Sequence, residues 1–320
     1  MPSKVFVAGG TGVLGRATLP ALVAAGHDVR STARGPKKAA LVRSMGAQPV
    51  ECDLYDIDSV RGAVAGCDVL IRLTTKIGSM TRLRDPKMWE ETNRLRTEGA
   101  RVLVDAAIAA GVPTYIHESV TFVYADGGTR WLTEDSRTDP GRGSVLHAAL
   151  QGESEASRLS EAGGKGIVLR FAGFYGANAP STPEMLAMAR RRMLAQLGPA
   201  TNYFSSVYVP DAGRAVAAAV NAPAGIYNVC DDEPVLFRDY LRAVAAAAGA
   251  KKPLHLPHFL GGLMFGQVWE YFSRSQRVSN AKLKHATNWA PQVTSALAGW
   301  PIIAEELRTR TAGEPSRRAA

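Results

Sequence analysis

Short apolar runs alternate with amphipathic stretches along the first half of the chain. The runs are rich in valine, isoleucine and leucine, which predicts buried parallel strands at 4–8, 28–33, 47–54, 67–74, 113–119 and 166–172. The spacing of apolar residues between them predicts helices that include 14–25, 86–110 and 145–162. Such alternation implies right-handed crossovers, so we expect an α/β fold with a Rossmann-like, doubly wound parallel sheet.

A glycine-rich turn follows the first predicted strand. Gly9, Gly12 and Gly15 are spaced three apart, and they open a helix whose apolar face continues through Leu19 and Leu22. Glycines permit a tight turn and close approach of the backbone to a pyrophosphate, and the helix N-terminus attracts negative charge. The pattern predicts a dinucleotide site built by Gly9, Gly10, Thr11, Gly12, Val13, Leu14 and Gly15.

The residues after the second predicted strand indicate which dinucleotide binds. An NAD site usually has an acidic residue there for the ribose hydroxyls, whereas this chain has Ala33 followed by Arg34, with Lys37 and Lys38 nearby. Cations favour the 2′-phosphate of NADP, so we expect NADP(H) to be preferred over NAD(H), held by Arg34 and Lys38. The alternative is that these side chains are surface charges only.

After about residue 175 the alternation becomes irregular. Two prolines interrupt it, followed by a predicted helix to about residue 197, strands within 203–209 and 225–231, and a helix over 211–222. We expect a smaller C-terminal substrate lobe beside the sheet. The predicted units are a dinucleotide-binding domain over 1–175, completed by about 204–230, a substrate lobe of 176–203 and 231–312, and a flexible tail over 313–320.

Composition narrows the choice of partners. The net charge is +9, but the lysines and arginines are scattered without a nucleic-acid-binding motif, so we expect a small-molecule substrate and no nucleic acid. The three cysteines lie far apart and outside metal-ligand spacing, which argues against disulfides and against a metal site. We see no secretion leader, and the apolar stretch 259–272 is too short to cross a bilayer. We therefore expect a cytoplasmic protein with no membrane partner, in which 259–272 forms an amphipathic helix.

Several segments occur in an order that is typical of one family. They are GGTGVLG in the turn, CDL ending at Leu54, Asn93 before a helix that ends in AAGV, and then ESVTFVYAD, VLRFAGFYG, VYVPDAGRAV and GIYNVCDDEP. Over about residues 3–300 the chain resembles the extended short-chain dehydrogenase/reductases, the NAD-dependent epimerase/dehydratase group. The resemblance implies a homodimer that forms through the helices before and within 145–162.

The same resemblance places further residues at the cofactor. It puts Asp53 and Leu54 at the adenine, Leu73, Thr74 and Thr75 along the nucleotide, and Phe171 and Phe174 at the nicotinamide. A carboxylate such as Asp53, at the end of a strand, can accept from an exocyclic amine. The alternative for Asp53 is a cap on the turn that follows.

Members of this family use a Tyr and a Lys, four residues apart on the helix after the fifth strand, as the acid and base pair. A Glu four residues beyond the Lys marks the helix. With Glu153 as the marker, Val145 and Ala149 occupy the Tyr and Lys positions, and neither can transfer a proton. The separation from Ser119 favours this register.

The second register takes Glu155 as the marker. It places His147 and Gln151 at the two positions, where they could form a hydrogen-bonded pair on one helical face. In the favoured register His147 turns toward another face of the helix. His147 is then a packed or solvent-facing side chain.

Three residues at or just beyond the end of the fifth predicted strand are candidates for the missing chemistry, because Val120 stands at the family's reactive Ser or Thr position. Glu118 ends an interior strand, where partial removal from water suits a carboxylate to proton transfer; a structural pairing with a cation is equally open. Ser119 is placed to hydrogen-bond substrate or the nicotinamide amide. Tyr124 is the nearest phenol, with a core aromatic as its alternative.

The sequence thus predicts an atypical family member. Its expected function is that of an NADP(H)-binding oxidoreductase, which transfers a hydride at a carbonyl or hydroxyl group of a small metabolite without the usual Tyr and Lys. Two alternatives stay open. One is a redox-neutral isomerase, dehydratase or cyclase, and the other is a catalytically inactive NADP-binding sensor or scaffold.

Overall fold

A computed structural model describes residues 2–76, 85, 87–141, 144–266 and 268–313. Its strands are β1 (Lys4–Ala8), β2 (Asp28–Thr32), β3 (Gln48–Val50), β4 (Val69–Arg72), β5 (Thr114–Val120), β6 (Trp131–Leu132), β7 (Lys165–Phe171), β8 (Gly173–Tyr175), β9 (Ala195–Leu197), β10 (Tyr203–Phe204), β11 (Ser206–Tyr208), β12 (Gly225–Val229), β13 (Val235–Leu236), β14 (Leu254–Leu256) and β15 (Arg277–Val278). Its helices are α1 (Val13–Ala24), α2 (Pro36–Ser44), α3 (Ile57–Val64), α4 (Lys87–Arg94), α5 (Ala100–Ala110), α6 (Ser144–Glu161), α7 (Ser181–Arg190), α8 (Val209–Ala219), α9 (Phe237–Ala247), α10 (Leu260–Phe265), α11 (Val268–Phe272), α12 (Ala281–Ala286) and α13 (Ala296–Gly313).

Seven parallel strands form the central sheet, in the order β12, β7, β5, β4, β1, β2, β3. The chain builds outward from β1 to β3 on one side and from β4 to β12 on the other. The strand order therefore reverses between β1 and β4, and ligands of such sheets bind at the carboxyl ends of the strands beside this point. The fold is the Rossmann-like α/β arrangement that the alternating pattern predicts.

Helices cover both faces of the sheet. Alternate residues of β1 point to opposite sides, so that Val5 and Val7 pack with α1 and α8 while Phe6 and Ala8 pack with α3 and α5. All four are fully buried, which explains why the strand reads as a continuous apolar run. Helices α1 and α8 approach closely, because a Cβ on Gly213 would lie 2.5 Å from the Ala17 backbone.

Some element boundaries in the first half differ from the predicted ones. The strand predicted over 47–54 is confined to β3, and after it the Asp53 carboxylate accepts from the Tyr55 amide at 3.0 Å in a turn of the chain. The helix predicted over 86–110 is interrupted by a π-helical turn, Leu95–Gly99, between α4 and α5. This turn carries Arg96 into the interior, where its side chain is buried.

Two helix predictions in the second half were wrong in extent. The helix predicted to about residue 197 ends at Arg190, and the chain passes through Arg192 at a φ of 57° before it enters β9. The single helix predicted over 259–272 is instead two short helices, α10 and α11, since Gly266 at a φ of 60° ends the first.

The later part of the chain builds a second core. In the part of the chain that the structure describes, four pairs of short strands lie outside the large sheet, and the core contains Tyr175, Tyr240 and Trp300. The division into a dinucleotide domain and a substrate lobe stays a prediction. Of the predicted tail, 314–320 lies outside the described residues. Among the described helices none has the length and apolar character needed to cross a membrane.

Asp231 follows β12 and is buried beside this second core. Its carboxylate accepts hydrogen bonds from the Tyr175 hydroxyl at 2.8 Å, the Ser206 hydroxyl at 3.2 Å and the Tyr208 amide at 3.1 Å. Burial nevertheless raises the pKa of Asp231 to about 7, because desolvation outweighs these three donors.

This raised pKa predicts a stability that falls as the pH rises. The unfolded chain releases the Asp231 proton near its ordinary pKa of 3.8, whereas the folded chain holds it up to about 7, so the contribution is complete below the first value and lost above the second. The loss amounts to at most about 4 kcal/mol. Urea unfolding between about pH 4 and about pH 8 measures it. Wild type should lose stability relative to Asp231→Asn over this range, and parallel curves for the two proteins would contradict the assignment.

Candidate active site

The turn between β1 and α1 brings three stretches of backbone into contact. Gly9 has a φ of +102°, which only glycine adopts readily, and a Cβ there would lie 2.9 Å from the Leu73 carbonyl. The Gly9 amide donates to the Thr32 hydroxyl at 2.9 Å. A Cβ on Gly15 would lie 2.3 Å from the Gly9 oxygen. The turn therefore has no room for larger residues at either glycine.

The N-terminus of α1 opens onto this turn. Gly12 is its N-cap, no side chain hydrogen-bonds the cap, and the first turn carries no acidic residue. The unpaired amides and the helix dipole then favour an anion at this end. The other predicted turn residues, Gly10, Thr11, Val13 and Leu14, surround the same end, and the Arg16 guanidinium bonds the Thr11 carbonyl at 3.0 Å.

The predicted adenosine residues lie at the edge where β2 and β3 end. Arg34 and Lys38 are exposed, on either side of the start of α2, whose N-cap is Gly35 at a φ of +78°. Asp53 is exposed and caps the following turn through Tyr55, which is the second of the two roles that the sequence allowed. This contact leaves a role at the adenine as a prediction. Leu54, next to it, is half-buried.

The remaining cofactor candidates line the carboxyl ends of β4 and β7. Leu73 is buried and donates its amide to the Ala8 carbonyl at 2.8 Å, so the ends of β1 and β4 stay together, with Thr74 and Thr75 directly after them. Phe171 ends β7, and its ring lies 5.4 Å from the ring of Phe174. The structure thus brings all the predicted cofactor residues to one edge of the sheet.

Glu118 lies in a buried group of charges. Its carboxylate is 3.3 Å from Arg72 Nη1 and 3.8 Å from Arg96 Nη2. Arg72 also donates to the carbonyls of Glu118, at 3.1 Å, and Thr74, at 2.6 Å. Burial lowers the pKa of His117 well below its usual value, and the two arginines add to this, so the ring is neutral at pH 7. A structural role for the buried Glu118 carboxylate requires a cation beside it, and Arg72 and Arg96 fulfil this requirement.

Ser119 and Tyr124 also have partners inside the protein. The Ser119 hydroxyl donates to Glu153 at 2.6 Å, and the same carboxylate accepts from Arg170 at 2.9 and 2.7 Å. The Tyr124 hydroxyl donates to Asn228 at 2.7 Å. Burial raises the pKa of Tyr124 to about 12. The catalytic role of the three candidate residues stays a prediction.

Helix α6 presents Glu153 to β5 and β7, whereas Glu155 pairs with Arg158 at 2.5 Å. Val145 and Ala149 precede Glu153 by two turns and one turn on the same face. His147 is exposed and contacts the Gly141 carbonyl at 3.0 Å. This geometry places His147 away from the end of β5.

An apolar cluster lies beyond the end of β5, between α6 and the later helices. Its buried members are Met88, Val123, Leu146, Ala149 and Tyr271. Half-buried side chains pack against them, namely Trp89, Val120, Phe122, Leu150, Phe265 and Phe272. The cluster packs α6 against α4, α10 and α11 beside the end of β5.

Three buried arginines are functional-site residues that were not predicted from the sequence. Arg72 and Arg170 lie within otherwise apolar strands, and Arg96 lies in the π-helical turn. A charged residue inside a buried strand needs a partner, so the segments VLIR and KGIVLRF already carried this signal. The sequence around Arg96 has no apolar strand pattern that would predict burial of this side chain.

Comparison with known proteins agrees with this geometry. The model of the NAD dependent epimerase/dehydratase family matches residues 5–230. The chain belongs to this family. A Streptomyces relative, 3-diazoavenalumate denitrifying reductase, is 30% identical over 303 residues, which cover 90% of this chain and 96% of the relative. A Stigmatella aurantiaca relative, 4-hydroxy-2-methyl-3-oxo-4-farnesyl-3,4-dihydroquinoline-1-oxide ketoreductase, is 29% identical and covers 78% of this chain and 74% of its own.

Solved structures of the epimerase/dehydratase type share the fold. The human epimerase family protein SDR39U1 with NADPH has a TM-score of 0.77 at 19% identity, covering 94% of this chain and 99% of its own. The UDP-glucose 4-epimerase of Thermotoga maritima has a TM-score of 0.75 at 20% identity, covering 96% and 99%. With reductases and epimerases among its relatives, this family member is an NAD(P)-dependent enzyme of the oxidoreductase and epimerase type.

Proposed function

We propose that this epimerase/dehydratase-family enzyme is an NADP(H)-dependent reductase that transfers a hydride to a small metabolite. The observation that carries the proposal is the turn between β1 and α1. Gly9 and Gly15 exclude side chains there, and the uncapped α1 N-terminus offers amides to a pyrophosphate. When bound, NADPH supplies the hydride at its nicotinamide ring. The chain's own residues hold the dinucleotide across the strand ends.

We assign the 2′-phosphate to Arg34 and Lys38. Both are exposed at the start of α2, so their cationic groups can close on an anion without losing an internal partner. Gly35 is the N-cap of α2, and no side chain hydrogen-bonds this cap. The helix N-terminus beside Arg34 and Lys38 therefore also favours an anion. An acidic residue, which would repel the phosphate, is absent between Ala33 and Lys38.

The Arg34→Ala variant tests this assignment. Removal of one charge-assisted contact to the 2′-phosphate should weaken NADPH roughly ten- to hundredfold and leave NADH almost unchanged. Titration calorimetry with both cofactors measures the two affinities. The matched control is Arg43→Ala, at the other end of α2, which should alter neither. Equal losses for NADPH and NADH in Arg34→Ala would overturn the NADP assignment.

We further propose that Glu118, Ser119 and Tyr124 support the end of β5 and thereby position the nicotinamide. Their contacts with Arg72, Glu153 and Asn228 fit this role better than proton transfer. Each contact is buried, so its loss would move the strand end. The substrate then lies against the apolar cluster beside Val120.

Two of the relatives that carry reductase names favour a substrate that contains nitrogen. One name contains a diazo compound and the other a quinoline oxide. The half-buried rings of Trp89, Phe122 and Phe272 would suit a planar ligand. The carbonyl or hydroxyl substrate that the sequence predicts stays a prediction.

A turnover assay separates the candidate functions. The purified protein is mixed with NADPH and aromatic acceptors, while nicotinamide absorbance reports oxidation and mass spectrometry reports the product. Product with matching loss of NADPH is expected. Product without net loss of NADPH would indicate a redox-neutral enzyme. Tight NADPH binding without any product would indicate a sensor or scaffold, and either result would overturn the proposed reductase.

A further inference from the structure

Large apolar side chains are exposed on α10 and beside the paired strands β9 and β14. Phe259 at 75%, Leu263 at 66% and Met193 at 59% have the highest exposed fractions of the large apolar residues that the structure describes. Leu254 and Met264, in the same segments, are exposed to 42% each. Single exposed apolar residues are common on protein surfaces, whereas a concentration of them marks a contact with another molecule or with a membrane.

The outward face of α10 is apolar because its other face is already packed. Gly261 is buried, and a Cβ at this position would collide with the Trp269 ring. Phe265, one turn later on the same face, stacks on that ring with the centroids 6.0 Å apart. Phe259 and Leu263 are also one turn apart, and they lie on the opposite face of α10. The packing of α10 on Trp269 therefore directs both side chains outward.

A group of cations lies at the end of the strand pair where β9 and β14 begin. The two strands are parallel and pair Leu254 with Ala195, so the residues that precede them lie at the same end. Five exposed cations precede the strands, namely Arg190, Arg191, Arg192, Lys251 and Lys252. Arg190 Nε donates to the Ala248 carbonyl at 3.3 Å, which brings the two cationic segments together.

The connection from β14 to α10 is short and is held to β9. The Gly198 amide donates to the Leu256 carbonyl at 2.7 Å, and His255 Nε2 contacts the Gly198 carbonyl at 2.7 Å. A Cβ on Gly198 would lie 2.9 Å from the His258 side chain. Because so few residues separate Lys252 from the start of α10, the cations lie within about 25 Å of its apolar face.

This surface carries charge of one sign. The segments 185–210 and 240–269, which build it, contain no Asp or Glu. Their sixth cation, Arg242, is paired with Asp239 at 3.0 Å. The five other cations favour an anionic partner, and they would repel a second copy of the same surface.

We propose that residues 190–193, 251–254 and 259–264 form a docking surface for an anionic phospholipid bilayer. Phe259, Leu263 and Met193 enter the boundary between headgroups and acyl chains, and the lysines and arginines contact the lipid phosphates. The shortness of 259–272, on which the expectation of no membrane partner rests, excludes a crossing and leaves docking on the surface possible. This inference is independent of the proposed reductase function.

Sedimentation of the full chain with lipid vesicles tests the proposal. The probes are vesicles of phosphatidylcholine alone and vesicles that also contain phosphatidylglycerol, which is anionic. Wild-type protein should pellet with the anionic vesicles and stay in solution with the neutral ones, since each cation near an anionic surface strengthens binding roughly fivefold. Equal binding to both kinds of vesicle, or binding to neither, would overturn the proposal.

The cationic part of the docking surface is tested by Lys251→Ala/Lys252→Ala. This variant should bind anionic vesicles roughly twenty- to thirtyfold more weakly than wild type. Arg43→Ala/Arg101→Ala is the matched control, because it lowers the net charge equally through exposed residues of α2 and α5. The control should bind as wild type does. Equal losses in the two variants would show that only the net charge matters, and the docking surface would be wrong.

The apolar part is tested by Phe259→Ser/Leu263→Ser. The loss of two side chains from the acyl boundary should weaken vesicle binding at least about tenfold. Ile57→Ser/Ile108→Ser removes exposed apolar side chains from α3 and α5 and should leave binding unchanged. All of these variants change exposed residues, so their urea midpoints should equal that of wild type. Unaltered vesicle binding by Phe259→Ser/Leu263→Ser would contradict the proposal.

Insertion into the bilayer distinguishes lipid from other partners. Phe259→Trp places an indole on the outward face of α10, and lipids brominated in their acyl chains should quench the added fluorescence. Vesicle binding without this quenching would mean adsorption by charge alone and would overturn the proposal. So would a lipid-free dimer that Phe259→Ser/Leu263→Ser dissociates, which would assign the surface to a second copy. Binding of soluble poly-glutamate that the same variant abolishes would assign it to an acidic protein.

Discussion

Replacement of Glu153 by alanine is expected to lower the free energy of unfolding by about 3–5 kcal/mol, because it leaves the buried Arg170 guanidinium without its anion. Both side chains are more than nine-tenths buried, so solvent cannot replace the lost charge. The Ser119 hydroxyl, which donates to the same carboxylate at 2.6 Å, loses its acceptor as well. Urea unfolding at neutral pH, followed by circular dichroism, measures the loss.

Two controls separate this buried charge from ordinary loss of a side chain. Glu98→Ala breaks an exposed i,i+4 pair with Arg94, and it should leave the urea midpoint nearly unchanged. The double variant Glu153→Met/Arg170→Leu removes both charges and should recover most of the stability. If Glu153→Ala unfolds at the wild-type urea concentration, the buried pair is not what holds β7 against α6.

The parts of the fold that follow local rules could be predicted from the sequence. The strands β1, β4 and β7 are largely apolar because helices cover both faces, and this leaves a nearly continuous run in the sequence. The turn at Gly9 is equally local, since glycine spacing, strand and helix all lie within a few residues. The family assignment rests on this turn and on the order of the later motifs.

The pairing of the buried charges could not be predicted, because it depends on contacts between distant segments. Glu118 meets Arg72 across 46 residues, and Glu153 meets Ser119 across 34. From the sequence, Glu118 could equally be a proton carrier or a structural anion, and only the position of the arginines favours one of them. The π-helical turn that buries Arg96 is similarly set by packing against α6, where a Cβ on Gly152 would lie 2.6 Å from the Arg96 carbonyl.

The extent of the later helices was also not predictable from periodicity. The apolar residues of 259–272 suit one amphipathic helix, but Gly266 at a positive φ divides them into α10 and α11. Glycine tolerates both a helical and a left-handed conformation, so its conformation depends on the tertiary structure. The same holds for Arg192, where the chain leaves α7 for β9.

The Gly15→Ala variant should bind NADPH at least about a hundredfold more weakly, the equivalent of one or two lost hydrogen bonds to a charged phosphate. The added methyl group would lie 2.3 Å from the Gly9 oxygen and 2.5 Å from Gly10 Cα, closer than any real Cβ contact. The turn must therefore move outward, which displaces the amides at the start of α1 from the pyrophosphate.

Gly62→Ala is the matched control for Gly15→Ala, since it adds the same methyl group in an exposed helix with nothing within 4 Å. It should keep the wild-type affinity and gain up to about 1 kcal/mol of stability from the higher helix propensity of alanine. Titration calorimetry measures NADPH affinity, and circular dichroism verifies that each variant is folded. A folded Gly15→Ala protein with wild-type affinity would mean that the cofactor does not depend on this turn. The proposed reductase function would then lose the site on which it rests.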